Sequence, residues 1–210
     1  MPAHHMNHTL SALLFAATLS SAPAAIVLTN IAGPVTTTSG VKGTGGVIPA
    51  PISYGFEFTV GGGDHDLVTL TFDIGNHLGS LPLNVDLMSS PSGPATATLL
   101  TPLSGPAQPI NQLATYTPAS PVTLTDGDTY FVRFTVIGSA SSYGINRTST
   151  AATGSWTMGD FFVRPGAGTW SPGGFSPETM VEIVANPVPE PAAVVLGCTG
   201  FMLILRRRRW

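Results

Sequence analysis

Short runs in which apolar and polar residues alternate, separated by turn-forming residues, extend along most of the chain. Residues 66–75 give the clearest case, because every second side chain from position 68 onward is apolar. This apolar face consists of Val68, Leu70, Phe72 and Ile74. A period of two residues is typical of a strand with one buried face. The pattern therefore predicts a half-buried β-strand in this segment.

The same alternation recurs in five other segments. They are residues 54–60, 81–89, 122–126, 129–138 and 178–185. In the second of them we expect the inward side chains to be Leu81, Leu83, Val85 and Leu87. The body has no helical periodicity of useful length, and Gly, Pro and Asp separate the runs. The sequence therefore predicts an all-β fold, a single antiparallel β-sandwich of the jelly-roll kind, over residues 25–186.

The first 24 residues have the pattern of a cleavable signal peptide. An apolar run, Leu10–Ser20, precedes Ala22-Pro23-Ala24, which fits the small-x-small pattern of a signal-peptidase site. The leading residues contain no Lys or Arg, so only the α-amino group and protonated histidines supply positive charge there. The alternative is an ordinary core helix, which the helix-breaking SAPAA segment disfavours. We expect residues 1–24 to form a signal helix that signal peptidase removes.

Residues 187–210 combine three features in a fixed order. The proline motif of Pro189, Glu190 and Pro191 precedes an apolar run at 192–205. A basic cluster follows and consists of Arg206, Arg207, Arg208 and Arg209. As a helix the 14-residue apolar run is about 21 Å long, against roughly 30 Å of hydrocarbon, and snorkelling arginine stems reduce the difference. We expect a short transmembrane helix whose arginine end is cytoplasmic.

In this order the three features resemble a PEP-CTERM sorting signal. The resemblance implies a bacterial protein that is anchored transiently in the inner membrane and processed by an exosortase-type enzyme. It also implies delivery to the cell envelope, the cell surface or the extracellular matrix of bacteria that make exopolysaccharide. Trp210 departs from the usual ending on the basic cluster, although an interfacial Trp is compatible with a membrane surface.

Four segments of the body carry a second resemblance. They are LPLNVDLMSSPSGP, YTPASPVTLTDGDTYFVRF, STAATGSWTMGDFF and FSPETMVEI. Their order is similar to that of the choice-of-anchor R domain, over residues 54–184. This resemblance implies a β-sandwich attached to various surface anchors, with no established activity.

Charge and cysteine usage exclude several classes of function. Charged residues make up only 9% of the chain, and the C-terminal cluster supplies four of its eight basic residues. The residues through Pro191 therefore contain four basic groups against eleven acidic ones, a formal charge of −7. Nucleic-acid binding needs a basic surface, so no nucleic acid is expected as a partner. The single cysteine, Cys198, lies in the apolar run, so the body has no thiol nucleophile.

Candidate catalytic and metal-binding residues are few. The body has two histidines, His65 and His77, and no GxSxG elbow. Asp64-His65-Asp66 supplies too few ligands for a metal site on its own. Asp126-Gly127-Asp128 offers oxygen ligands suited to calcium, but a tight turn between strands demands the same residues. We expect no catalytic site, no metal and no cofactor, and we keep a hydrolase only because sandwiches can host one.

Three aromatic residues in the Gly/Ser/Thr-rich region 138–175 are candidate carbohydrate contacts. They are Trp156, Trp170 and Tyr143. Exposed aromatic faces stack on sugar rings. The alternative, which we favour, is that these large side chains fill the core of the sandwich.

The sequence as a whole predicts an exported, C-terminally sorted protein of the cell envelope or extracellular matrix. Its predicted role is structural or adhesive, in association with exopolysaccharide as a candidate partner, and it is not an enzyme. The alternative function is a lectin-like, carbohydrate-binding module.

Overall fold

The computed structural model describes residues 23–35, 37–42, 52–136, 141–173 and 178–189. In these ranges the regular secondary structure consists of strands alone, and none of the residues forms a helix that could cross a membrane. The strands are β1 (Ala25–Thr29), β2 (Thr37–Lys42), β3 (Ile52–Thr59), β4 (His65–Leu78), β5 (Leu83–Ser89), β6 (Thr98–Ser104), β7 (Gln112–Pro118), β8 (Thr123–Leu124), β9 (Thr129–Val136), β10 (Ser142–Thr148), β11 (Thr153–Gly154), β12 (Thr157–Pro165), β13 (Ser171–Pro172), β14 (Glu178–Thr179) and β15 (Val181–Pro187). The predicted all-β class is confirmed for this part of the chain. The predicted signal helix and transmembrane helix lie outside it.

The strands form one antiparallel sheet that curls back on itself. The path β4-β7-β6-β5-β9-β3-β2-β10 returns to its start, because β10 pairs both with β2 and with the end of β4. The first half of β4 also pairs with β15, which in turn pairs with β1. On the other edge of β3 lies β12. The curl gives the sheet an inner face, which holds the main core, and an outer face.

Aromatic residues dominate the inner face. The Phe72 and Phe134 rings lie 4.9 Å apart and edge to face, and Phe56 packs on Phe72 at 6.0 Å. All three are at most 1% exposed. Burial of one such side chain stabilises the fold by about 1.5–3 kcal/mol. These three rings lie on β3, β4 and β9, which are strands that the alternation of apolar and polar residues predicted.

One inward-facing residue was predicted wrongly. Leu70, Phe72 and Ile74 are fully buried as expected, but Leu67 lies in the core while Val68 is only half-buried. On the neighbouring strand Val184 pairs with Thr69 and the next residue pairs with Leu67, so Val68 is an extra residue in β4. Such a β-bulge shifts the alternation by one position and turns Val68 away from the core.

Two other segments differ in detail from their predictions. In β5 the side chains of Leu83, Val85 and Leu87 are buried as expected, whereas Leu81 lies before the strand and is half-buried against the core. The predicted closing strand at 178–185 is divided into β14 and β15 at Met180. This division lets the chain change partner from β10 to β4.

The outer face of β3 and β9 has a small apolar cluster of its own. Met88, Phe131 and Phe162 are buried there, and Ala97 and Trp170 pack on them. The Phe131 ring lies against Gly55, where a Cβ would be 2.5 Å from the Val132 carbonyl oxygen and closer still to the ring. Only glycine leaves room for this ring position.

We expect Gly55→Ala to lower the free energy of unfolding by about 1–3 kcal/mol, because the new methyl group displaces the Phe131 ring and the β9 backbone. Urea denaturation measures the change. Thr157→Ala, at an exposed position on the adjacent β12, is the control and should stay within about 0.5 kcal/mol of the wild type. Equal stability of Gly55→Ala and wild type would contradict this packing of Phe131.

Candidate functional site

Trp156, one of the candidate sugar contacts, lies in the core. It follows β11, its backbone N–H donates to the Val27 carbonyl oxygen, and it is only 3% exposed. Its ring stacks on Phe58 with a centroid distance of 5.4 Å and an angle of 5°, and His65 approaches edge-on. A sugar ring has no access to a face covered in this way.

Tyr143 on β10 is also buried, at 1% exposure. Its hydroxyl donates to the carbonyl oxygens of Leu81 and Ala107, and its ring stacks on His77 at 4.1 Å. Burial raises the pKa of this hydroxyl. Tyr143 thus fixes two loops to the core. Neither Tyr143 nor Trp156 presents an open ring face to a sugar.

Trp170 is the candidate that lies at the surface. It is half-buried on the outer face, where its ring packs edge-to-face with Phe131 at 4.9 Å. The guanidinium carbon of Arg164 lies 4.9 Å from its ring centroid. The three candidate aromatics therefore do not form one platform, and Trp170 alone belongs to a surface depression.

Two depressions on the outer face share Arg133, and we call them together the outer-face cleft. The first has a volume of about 570 Å³ and a mixed lining that includes the polar residues Asp86, Arg133 and Thr135 and the apolar residues Val85 and Leu103. The second, the aromatic pocket, has a volume of about 240 Å³, and its lining includes Met88, Ala97, Arg133, Arg164 and Trp170. The cleft thus combines cations with apolar and aromatic surface.

The strand register positions the charged residues of the cleft. Asp86 on β5 pairs with Arg133 on β9, and Arg133 pairs with Gly55 on β3. Gly55 in turn pairs with Phe162 on β12. Residues in such a row share one face of the sheet. Arg164 pairs with Ser53, two residues further along β12, and so lies on the same face in the adjacent row.

The two arginines of the cleft differ in their surroundings. Arg133 donates from Nε and Nη2 to one oxygen of Asp86, at 3.1 and 2.7 Å, in a partly buried ion pair. Arg164 has no salt bridge within the described ranges, and its buried Nε lacks a hydrogen-bond acceptor there. Burial lowers the pKa of Arg164, and the nearby Arg133 cation lowers it further. The cleft therefore holds two cations against one close carboxylate.

Two partly buried acids, Glu57 and Glu178, have structural partners. Ser90 Oγ donates to Glu57 at 2.7 Å, and burial raises the pKa of that carboxyl, with a smaller contribution from Asp160. Glu178 accepts hydrogen bonds from Asn30 and from the backbone N–H of Ala152. These contacts fix loops and strand ends.

Of the two candidate metal-binding segments, Asp126-Gly127-Asp128 forms a turn, whereas Asp64-His65-Asp66 leads into β4, where His65 is buried. Gly127, at a φ of 79°, occupies the tight turn between β8 and β9, as predicted. Asp64 accepts a hydrogen bond from the Asp126 N–H at 2.9 Å, and His65 Nδ1 lies 2.8 Å from the Gly63 carbonyl oxygen. No group of three or more His, Cys, Asp and Glu in the described part of the chain is arranged to hold a metal.

The predicted sorting motif begins where the sheet ends. Val188 N–H donates to the Asp64 carbonyl oxygen at 2.8 Å, and the next residue, Pro189, is exposed. Glu190, Pro191 and the cluster Arg206–Arg209 lie outside the described residues.

The arginines of the cleft, Arg133 and Arg164, were not among the site residues predicted from the sequence. The available signal was weak: in a chain with few charges, Arg133 and Arg164 interrupt runs that are otherwise apolar or neutral. Their proximity depends on the pairing of β9, β3 and β12, which is not visible in the sequence.

No family model, no curated protein and no solved structure matches the chain. The class that the fold defines is an all-β protein built on a curled antiparallel sheet. The resemblances to the PEP-CTERM signal and to the choice-of-anchor R domain rest on the residues quoted for them and stay predictions.

The two tryptophans should respond differently to truncation. We expect Trp156→Ala to lower the free energy of unfolding by about 3–5 kcal/mol, because it leaves a cavity in the core. Trp170→Ala removes a half-buried ring and should cost about 1 kcal/mol. Thermal or urea unfolding of the two variants measures the difference, and an equal loss in both would contradict the assignment of Trp170 to the surface.

Proposed function

We propose that this chain is an exported bacterial protein that its C-terminal segment sorts to the cell envelope, cell surface or extracellular matrix. Its body is a single β-sandwich of the jelly-roll kind, a proposal that the curled antiparallel sheet supports. Its role is structural or adhesive, in association with exopolysaccharide. Signal peptidase and an exosortase-type enzyme are the processing partners, and the inner membrane holds the chain transiently.

The observation that carries this proposal is the position of the two ends of the body. β1 and β15 are antiparallel neighbours, and Ala25, the first residue of β1, pairs with Ala185 near the end of β15. The segments before Ala25 and after Pro187 therefore leave the sheet side by side. A membrane anchor on either segment would hold the same end of the body towards the membrane.

The end of β15 also supports access by a processing enzyme. Sheet pairing continues to Pro187, opposite His65, and one further hydrogen bond fixes Val188. Prolines cannot donate to a sheet or helix ladder, so the motif at 189–191 favours an extended, unpaired peptide. Such a peptide directly outside a folded body is what a sorting peptidase requires.

A second function, recognition of a carbohydrate, is favoured by the outer-face cleft. Ligand sites combine apolar surface with a few polar groups that fix orientation. The aromatic pocket has this combination in Trp170, Met88 and two arginines. A surface protein could use it to hold a matrix glycan without any chemistry on the glycan.

A motif variant tests the sorting function. We expect full-length protein with Pro189, Glu190 and Pro191 all changed to Ala to accumulate in the inner-membrane fraction of an exopolysaccharide-producing host, while the wild type leaves it. Fractionation and immunoblotting measure the distribution. Pro121→Ala, in an exposed loop of the body, is the control and should behave as wild type. Release of the motif variant at the wild-type level would sink the proposal.

A further inference from the structure

The two arginines of the outer-face cleft differ in the hydrogen-bond partners that the described residues offer to them. Arg133 presents its Nε and Nη2 edge to the Asp86 carboxylate. Arg164 lies in the next row of the same face, and its buried Nε has no acceptor among the described residues. A buried donor left unpaired destabilises the fold, so a ligand acceptor near it is favourable. The structure thus satisfies one arginine internally and leaves the other able to accept a partner.

Trp170 fixes how Arg164 can be approached. The guanidinium lies over the indole ring, a cation–π contact that covers one face of the cation. Phe131 packs edge-to-face with Trp170 and holds the indole in place. Stacking covers a face of the guanidinium and leaves the edge that carries Nη1 and Nη2, whose N–H donors a planar carboxylate matches with two parallel hydrogen bonds.

The remaining walls of the aromatic pocket restrict the group that carries the carboxylate. Met88 and Ala97 provide apolar surface, and about 240 Å³ is available. A compact ring with one apolar face fits this setting, because it contacts the pocket wall while its acid group reaches Arg164. Uronic acids have both features, since their carboxylate is attached to a pyranose ring.

We propose that the aromatic pocket binds a uronic acid residue of an acidic polysaccharide, with Arg164 pairing the carboxylate and Trp170 and Met88 contacting the ring. The inference rests on the carbohydrate recognition proposed above and names its ligand class. Non-specific attraction to the body does not mimic this binding, because the residues through Pro191 have a formal charge of −7, and the test below removes the basic cluster at Arg206–Arg209. A polyanion is attracted only where the cations are local.

The test uses full-length protein in detergent with EDTA, titrated calorimetrically with tetragalacturonate and with its methyl ester. Arg206–Arg209 are changed to Gln in every sample, including the one called wild type here, so that this basic cluster does not bind the polyanion. The ester keeps the rings and removes the charges. We expect the free acid to bind wild type at least tenfold more tightly than the ester. Arg164→Gln should weaken binding of the acid at least tenfold, as loss of a charge-assisted pair does. Arg164→Lys keeps the charge but not the planar edge, and should fall between the two.

The outcomes distinguish the proposal of an acidic ligand from the proposal of carbohydrate recognition. If acid and ester bind equally well to wild type, the acidic ligand class is wrong while carbohydrate recognition stands. If neither binds, both fail. Tetraglutamate bound as tightly as tetragalacturonate would show a site for any carboxylate and overturn the sugar assignment. The acid-to-ester ratio of the wild type decides the question even if Arg164→Gln fails to fold, and melting temperatures identify that case.

Discussion

The outer face of the sheet depends on the fit between Gly55 and Phe131. Because Gly55 has no side chain, the Phe131 ring lies across β3 rather than pointing to solvent, and Met88 and Phe162 close over it. Trp170 packs on that ring, and Arg164 stacks on Trp170. The pair of strands β3 and β9 is therefore covered by apolar side chains on both faces, and the cleft lies on the outer of these two layers.

The strands were predictable where their inward face is uniformly apolar, as in β4 and β5. Other strands were not predicted because, in them, burial does not follow the hydrophobicity of the side chains. In β7 Leu113 is 57% exposed while the smaller Ala114 is fully buried, so the alternation is inverted there. The bulge at Val68 is similar in kind, because its position depends on the pairing partner. Local patterns determine the class of the fold, and long-range pairing determines which residue points inward.

The site was less predictable than the fold. Trp156 and Trp170 look alike in a Gly-rich sequence, yet one stacks on Phe58 in the core and the other lies in a surface pocket. Arg133 and Arg164 become neighbours only because β3 lies between β9 and β12. The predicted sorting signal is different, since that prediction rests on the order of three local features. The sequence therefore offers a specific prediction of the protein's destination and only a candidate class of ligand.

Two-ended processing is the central proposal, and the pairing of β1 with β15 supports it because both ends of the body leave the sheet side by side. The intact mass of the protein recovered from the envelope and medium of its host tests this claim most directly. The account predicts a mass that lacks both Met1–Ala24 and the segment beyond the proline motif. A mass that still includes Arg206–Arg209 would mean that the apolar run is a permanent anchor and would contradict the sorting function.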